Sequence, residues 1–190
     1  VDNRPGASGN IAAEIVARSA PDGHALLMAN TSLVINPSLF EKLSYDPIRD
    51  FAAVAQMSSV HFALVVHPSV PARSAREFIA LARKRPEALT FASAGNGSPH
   101  HLAMELLQSM AKVELMHVPY KGAGQFVPAL VAGEIASVIG AINSLLPHIR
   151  SGRLHVLAMA GARRTSLLPG VPTIGESALP GFALDKWGGM

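Results

Sequence analysis

The sequence predicts an α/β fold. Strand-like apolar runs alternate with helical patterns along most of the chain, and 49% of its 190 residues are hydrophobic, ample for a core. A third observation is the junction Ala92-Ser93-Ala94-Gly95-Asn96-Gly97-Ser98-Pro99-His100-His101, where a strand passes through a glycine-rich turn straight into a helix. Strand and helix repeated in this way argue for parallel-rich sheets with helices on both faces.

Ser8 or Asn10 can cap a first helix running to about Ala20, with Ile11, Ile15 and Val16 on one face. Pro21-Asp22-Gly23 then turns the chain into a buried strand over Ala25 to Ala29. Asn30-Thr31-Ser32 leaves that strand, followed by a short helix over Pro37 to Lys42, a turn at Tyr45-Asp46-Pro47 and a strand over Phe51 to Gln56. Val60 to Val66 is a strand closed by His67-Pro68. Ser74 and Glu77 form a capping box for a helix whose inner stripe is Phe78, Ile79 and Ala82 and which Pro86 stops.

Leu89 to Ala92 feeds the glycine turn, and the helix from Ser98 sets Leu102, Leu106, Leu107 and Met110 at the spacing of a core face. Leu115 to Val118 is the next strand. It leads through Pro119-Tyr120-Lys121-Gly122-Ala123-Gly124 to a helix over Gln125 to Ala132 with Gly133 as C-cap, where Pro128 suits only a first turn. Strands over Ile135 to Ile139 and Leu154 to Ala160 flank a helix over Ser144 to Arg150, and beyond Arg164 the chain turns to Pro- and Gly-rich loops.

In such sheets ligands bind beyond the carboxyl ends of the strands. The loops Asn30 to Ser32, Ser93 to Ser98 and Pro119 to Gly124 hold that position. Gly95 and Gly97 permit a tight turn with close backbone approach, Ser98 is a good N-cap, and Pro99 fits the first helical position. A helix start presents unsatisfied N–H groups and the positive end of its dipole, which favour a carboxylate or phosphate. His101, at the third helical position, stands near enough to donate a hydrogen bond to that anion. The same residues also read as a capped helix start with no ligand.

Other chemistries lack their motifs. No Gly-Lys-Ser/Thr follows the turn and no Gly-x-Gly-x-x-Gly occurs, which argues against a nucleotide site. Cysteine is absent, so there are no disulfides, thiol nucleophiles or thiolate metal sites, a composition compatible with cytoplasm or bacterial periplasm. Of the eight histidines, His100 and His101 diverge on a helix while His24, His61, His67, His117, His148 and His155 lie singly. Neither a metal nor another cofactor is expected. The net charge of +3 is spread along the chain, and Arg83-Lys84-Arg85 falls at a helix C-terminus without interleaved aromatics, so no nucleic-acid partner is expected. Apolar runs such as Phe62 to Val66 and Val156 to Ala160 fall short of the ~20 residues of a spanning helix. Ser98 beside His100 and His101 keeps a serine hydrolase open as an alternative, although no Gly-x-Ser-x-Gly elbow is present.

Asn3-Arg4-Pro5-Gly6-Ala7-Ser8-Gly9-Asn10, Ala20-Pro21-Asp22-Gly23, Tyr45-Asp46-Pro47 with Asp50-Phe51, Phe91 to His101, His117-Val118-Pro119-Tyr120-Lys121-Gly122 and Val171-Pro172-Thr173 with Glu176 occur in one order. Over nearly the whole chain this pattern resembles the Bug family, the extracytoplasmic solute receptors of tripartite tricarboxylate transport systems. The resemblance implies a periplasmic, non-enzymatic binding protein, type II-like, whose two α/β domains hinge about a cleft that closes on a small carboxylate. It also implies a membrane permease as partner, and leaves a ligand-sensing role in signal transduction as a further alternative.

By the same resemblance, one ligand carboxylate is held by backbone amides of two loops, the second matching Ser93, Ala94, Gly95, Asn96, Gly97 and Ser98. Thr31 and Ser32 match a loop facing the cleft, and His101, Tyr120 and Gly140 fall at or near cleft positions. Some members that bind amino acids carry an Asp near position 140, so Gly140 favours a dicarboxylate or aromatic carboxylate. The family's first carboxylate loop has no counterpart in this sequence, and the chain reads as an internal fragment. Residues 1-66 and 165-190 are expected to form an incomplete first domain, residues 67-164 the second. Exposed sheet edges of the incomplete domain would then favour dimerisation.

Overall fold

The computed structural model describes residues 1–4, 6–184 and 187–190. In chain order a 3-10 turn (Ala7–Gly9) is followed by α1 (Asn10–Ala17), β1 (Ala29–Asn30), α2 (Ser32–Leu39), β2 (Gln56–Ser59), β3 (Phe62–Val66), α3 (Ala75–Lys84) and β4 (Thr90–Ser93). Then come α4 (Pro99–Ala111), β5 (Met116–Pro119), α5 (Ala123–Ala132), β6 (Ser137–Ala141), α6 (Ile142–Arg150), β7 (His155–Met159), α7 (Ile174–Ser177) and β8 (Trp187–Gly189). The chain divides into two compact units, Val1–Val60 with Lys186–Met190 and His61–Asp185. The sequence reading put its boundaries elsewhere, at 66/67 and 164/165; here β3 and α7 both pack within the larger unit.

The larger unit carries a five-stranded sheet in the order β5-β4-β6-β3-β7. β4 runs parallel to β5, from Thr90 opposite Met116 to Ser93 opposite Pro119, and parallel to β6, with Phe91 opposite Ser137. β3 is antiparallel to both β6 and β7. The sheet is therefore mixed rather than uniformly parallel. Strands β4 to β7, each reached through a helix, share one direction, while β3 inserts between β6 and β7 and is buried at all five positions. α5 and α6 bring Phe126, Leu130, Ile142 and Leu145 onto the sheet residues Ala63, Val65, Ala92 and Val138, which together form a continuous core.

Local signals explain most helix positions. Ser74 Oγ accepts from the Glu77 amide, although Glu77 returns its carboxylate to the Arg73 amide, so the predicted box is only half made. A reciprocal box does form at the start of α7, between Thr173 and Glu176. α3 buries Phe78, Ile79 and Ala82 as expected. α4 is rotated from its expected face: it buries His100, Ala103, Met104, Leu107 and Ala111, leaving Leu106 and Met110 at 38% and 37% exposed. The two alanines let the helix approach closely, which puts those long side chains on its flank. Pro128 sits inside α5 rather than in its first turn, and Gly133 closes that helix in the left-handed region at φ 78°.

The smaller unit departs further from the periodicity. Its three-stranded sheet, β1-β8-β2, is antiparallel throughout. The strands expected over Ala25 to Ala29 and Phe51 to Gln56 shrink or shift to Ala29–Asn30 and Gln56–Ser59, and the helix expected over Pro37 to Lys42 forms at Ser32–Leu39. α1 ends at Ala17 and is entered through left-handed Gly9 instead of a side-chain cap; Ile11 and Ile15, expected to face inward, are about half exposed. A strand exists only where a partner completes its ladder, and among the described residues β8 is the strand that supplies one. Asn10 Oδ1 instead accepts from Asn36 Nδ2 at 2.6 Å and Tyr45 Oη at 2.5 Å, tying three segments together.

Leu64 is fully buried at the centre of β3. Leu64→Ala should lower unfolding free energy by about 2–5 kcal/mol in a urea titration followed by circular dichroism. A loss under about 1 kcal/mol would contradict the central position given to β3.

Candidate functional site

Three parallel neighbours, β5, β4 and β6, end at the same edge of the larger unit's sheet, and each leads into a helix. The starts of α5, α4 and α6 therefore gather at one edge. Ser98 caps α4, whereas α5 begins at Gly122 and α6 at Ala141 with no side-chain cap. Their dipole ends concentrate partial positive charge, and Lys121 lies exposed in the loop just before α5. The start of α6 is the part that sequence reasoning missed, because β6 runs into α6 with no intervening loop to mark it.

At the centre lies the turn between β4 and α4. Gly95 and Gly97 adopt φ of 104° and 72°, values that favour glycine, and the Ser98 amide closes on the Gly95 carbonyl at 3.2 Å. Ser98 Oγ accepts from the His101 amide at 3.4 Å with Pro99 at the first helical position. Ala94, Gly95 and Gly97 are half-buried and Asn96 is exposed, so the turn reaches solvent. The adjoining loop is held by the Tyr120 amide, which donates to the Ser93 carbonyl at 3.0 Å.

The two glycine amides are engaged from beneath. Ser93, fully buried, accepts from the Gly95 N–H at 3.0 Å, and its Oγ lies 3.1 Å from the Gly95 carbonyl and 2.6 Å from His117 Nε2. The Gly97 N–H donates to His101 Nδ1 at 3.2 Å, while His101 Nε2 lies 3.6 Å from Glu105. The expected donor to an anion thus has one ring nitrogen committed to the loop itself. The rings of His101 and His117 pack against each other at a 32° tilt with centroids 4.3 Å apart, and Phe91 stacks on His117 at 4.8 Å. Burial first, and the neighbouring His101 second, hold the His117 pKa below the ordinary imidazole value.

His117 was absent from the predicted site residues. The parallel register that sets Phe91 opposite His117 is the signal that points to it, since it places His117 one strand over and directly behind the turn. Gly140 lies buried inside β6, and a Cβ there would meet Leu145 Cδ1 at 3.2 Å and Val138 Cγ2 at 3.4 Å, so its side of the strand is filled. Tyr120 is half-buried beside the core under α5 and α6. Thr31 and Ser32 belong to the smaller unit, where they begin α2 and are 8% and 5% exposed, and the Ser32 amide donates to Asn30 Oδ1 at 2.8 Å.

Among the described residues no three His, Cys, Asp or Glu side chains group as a metal site, and no helix is long and apolar enough to cross a membrane. Ser98 acts as a cap, while close Ser–His contacts lie at Ser93 with His117, which solvent does not reach, and at Ser69 with His67 in the exposed turn after β3.

The fold is the α/β fold of the periplasmic binding proteins. The structure of R. palustris Rpa4515 with adipate is similar at TM-score 0.91 and 34% identity, covering 99% of this chain and 63% of that one. MatC from Rhodopseudomonas palustris with bound malate is similar at TM-score 0.85 and 34% identity, covering 97% and 63%. The family model for the tripartite tricarboxylate transporter family receptor matches residues 1–190, and the chain belongs to that family. A relative in Pseudomonas sp. strain P51, the UPF0065 protein in the tcbD-tcbE intergenic region, is 39% identical over all of this chain and 57% of its own length. The chain therefore spans about three fifths of the proteins it matches.

The lowered His117 pKa has a signed consequence. The unfolded chain binds this proton more readily than the folded one, so the contribution to stability is whole above pH of about 6.5 and is lost as pH falls through the folded value. Proton NMR of the imidazoles should show one ring titrating below the ordinary range, and Ser93→Ala should shift that ring's titration. An unshifted ring would contradict the burial assigned to His117.

Proposed function

We propose that this chain is the carboxylate-binding part of a periplasmic solute receptor, a non-enzyme that captures a small organic acid, most suitably a dicarboxylate, for a membrane permease. The observation that carries the reading is the gathering of three helix starts around the glycine turn at one sheet edge. Backbone dipoles and hydroxyl groups recognise a carboxylate while leaving no full positive charge to trap it, which suits capture followed by release. Ser98 Oγ accepts within the cap and keeps a proton to give.

The proposed ligand contacts are Ala94, Gly95, Asn96, Gly97, Ser98 and the Tyr120 hydroxyl, all in the larger unit, with the buried Ser93 supporting the turn from behind. Adipate and malate in the two solved relatives support the ligand class. The exposed strand β2 is an edge of the smaller unit's sheet through which two chains would pair.

Calorimetry at neutral pH with adipate, malate and glutamate tests the reading. The two dicarboxylates should bind and be recovered unchanged, and glutamate should bind about tenfold more weakly, since its ammonium group loses hydration against the positive ends of the helix dipoles. Gly97→Val, a β-branched residue at positive φ, should weaken adipate binding by at least about tenfold. Turnover of a bound acid or ester, or unchanged affinity in the variant, would overturn it.

A further inference from the structure

Behind the turn, two imidazoles from different elements reach its two glycines. His101 on α4 accepts directly from the Gly97 N–H, and His117 on β5 reaches Gly95 through the buried Ser93 hydroxyl. The two rings lie against each other with centroids 4.3 Å apart, tilted by 32°, and Phe91 of β4 stacks on His117. Glu105 on α4 is the carboxylate beside the pair, 3.6 Å from His101 Nε2. The N-cap at Ser98 is closed by the amide of that same His101, so one residue fixes both the cap and the turn before it.

We propose that the His101–His117 pair is the positioning device of the loop, holding Gly95 and Gly97 in the ligand-ready conformation only while His101 Nδ1 is unprotonated. The reason is geometric. A protonated Nδ1 is a donor and cannot accept from Gly97, so the two N–H groups would oppose each other and the turn must shift. A second charge on His117 is opposed by the ring 4.3 Å away and by burial. Carboxylate affinity therefore falls in mild acid, through a pair that holds the loop from behind. This inference rests on the loop being the carboxylate site.

The test uses the whole chain with adipate as probe between pH 8 and pH 6, together with the Gly97 amide resonance in ligand-free protein. Wild type should lose roughly five- to tenfold in affinity across that range, beyond the loss from titration of adipate itself, and the Gly97 amide should move in step with the imidazole signals. His101→Asn puts a neutral amide oxygen where Nδ1 stands: it should lose the protein's share of the acid effect, whereas His101→Ala should bind weakly at every pH. A Gly97 amide indifferent to imidazole titration, or an acid effect retained in His101→Asn, overturns the inference while leaving the receptor reading intact. If adipate fails to bind at any pH, the receptor reading fails, and the coupled titration of Gly97 in the ligand-free chain still decides the inference.

Discussion

The buried hydroxyl of Ser93 stands where a strand, a turn and a neighbouring strand meet, and the geometry of the carboxyl edge depends on it. It accepts from the first glycine of the turn and bonds His117 across the β4–β5 pair. Parallel register makes this possible. With Ser93 opposite Pro119 and Phe91 opposite His117, both strands stop together, and the Tyr120 amide, donating to the Ser93 carbonyl, fixes the second loop beside the first. Because Ser93 is fully buried, an unpartnered hydroxyl there would cost about 1–3 kcal/mol, so turn, strand pair and imidazole form as one unit.

The resulting edge is positive mainly through dipoles, with Lys121 exposed in the loop before α5. Helix dipoles from α4, α5 and α6 point their positive ends outward, while the imidazoles lie behind the turn and His117 is biased toward its neutral form. Charge supplied by dipoles is fixed in place by the fold, and it attracts an anion with less desolvation than a buried cation would require. A mild net charge of +3, spread along the chain, adds a weak general attraction for anions.

Much of the larger unit was legible in the sequence because its signals are local. Ser98 with Pro99 marks α4, Gly133 ends α5, and Phe78, Ile79 and Ala82 give the inner stripe of α3. What escaped depends on distant pairing. The antiparallel insertion of β3 leaves no trace in a run of five apolar residues, since a strand buried on both faces reads the same in either direction. The turn itself was visible at Gly95 and Gly97, but the role of His117 appears only once β4 and β5 are in register. In the smaller unit, residues 25 to 28 have strand composition yet pair with no strand among the described residues, which composition alone cannot reveal.

The central claim is that a carboxylate sits at the carboxyl edge of β5, β4 and β6. The most direct measurement is a structure of this chain crystallised with adipate. The account predicts one carboxylate group within hydrogen-bonding distance of the turn between Ser93 and Ser98, against the start of α4. Adipate bound elsewhere, with that turn unoccupied and its neighbours unmoved, would contradict it.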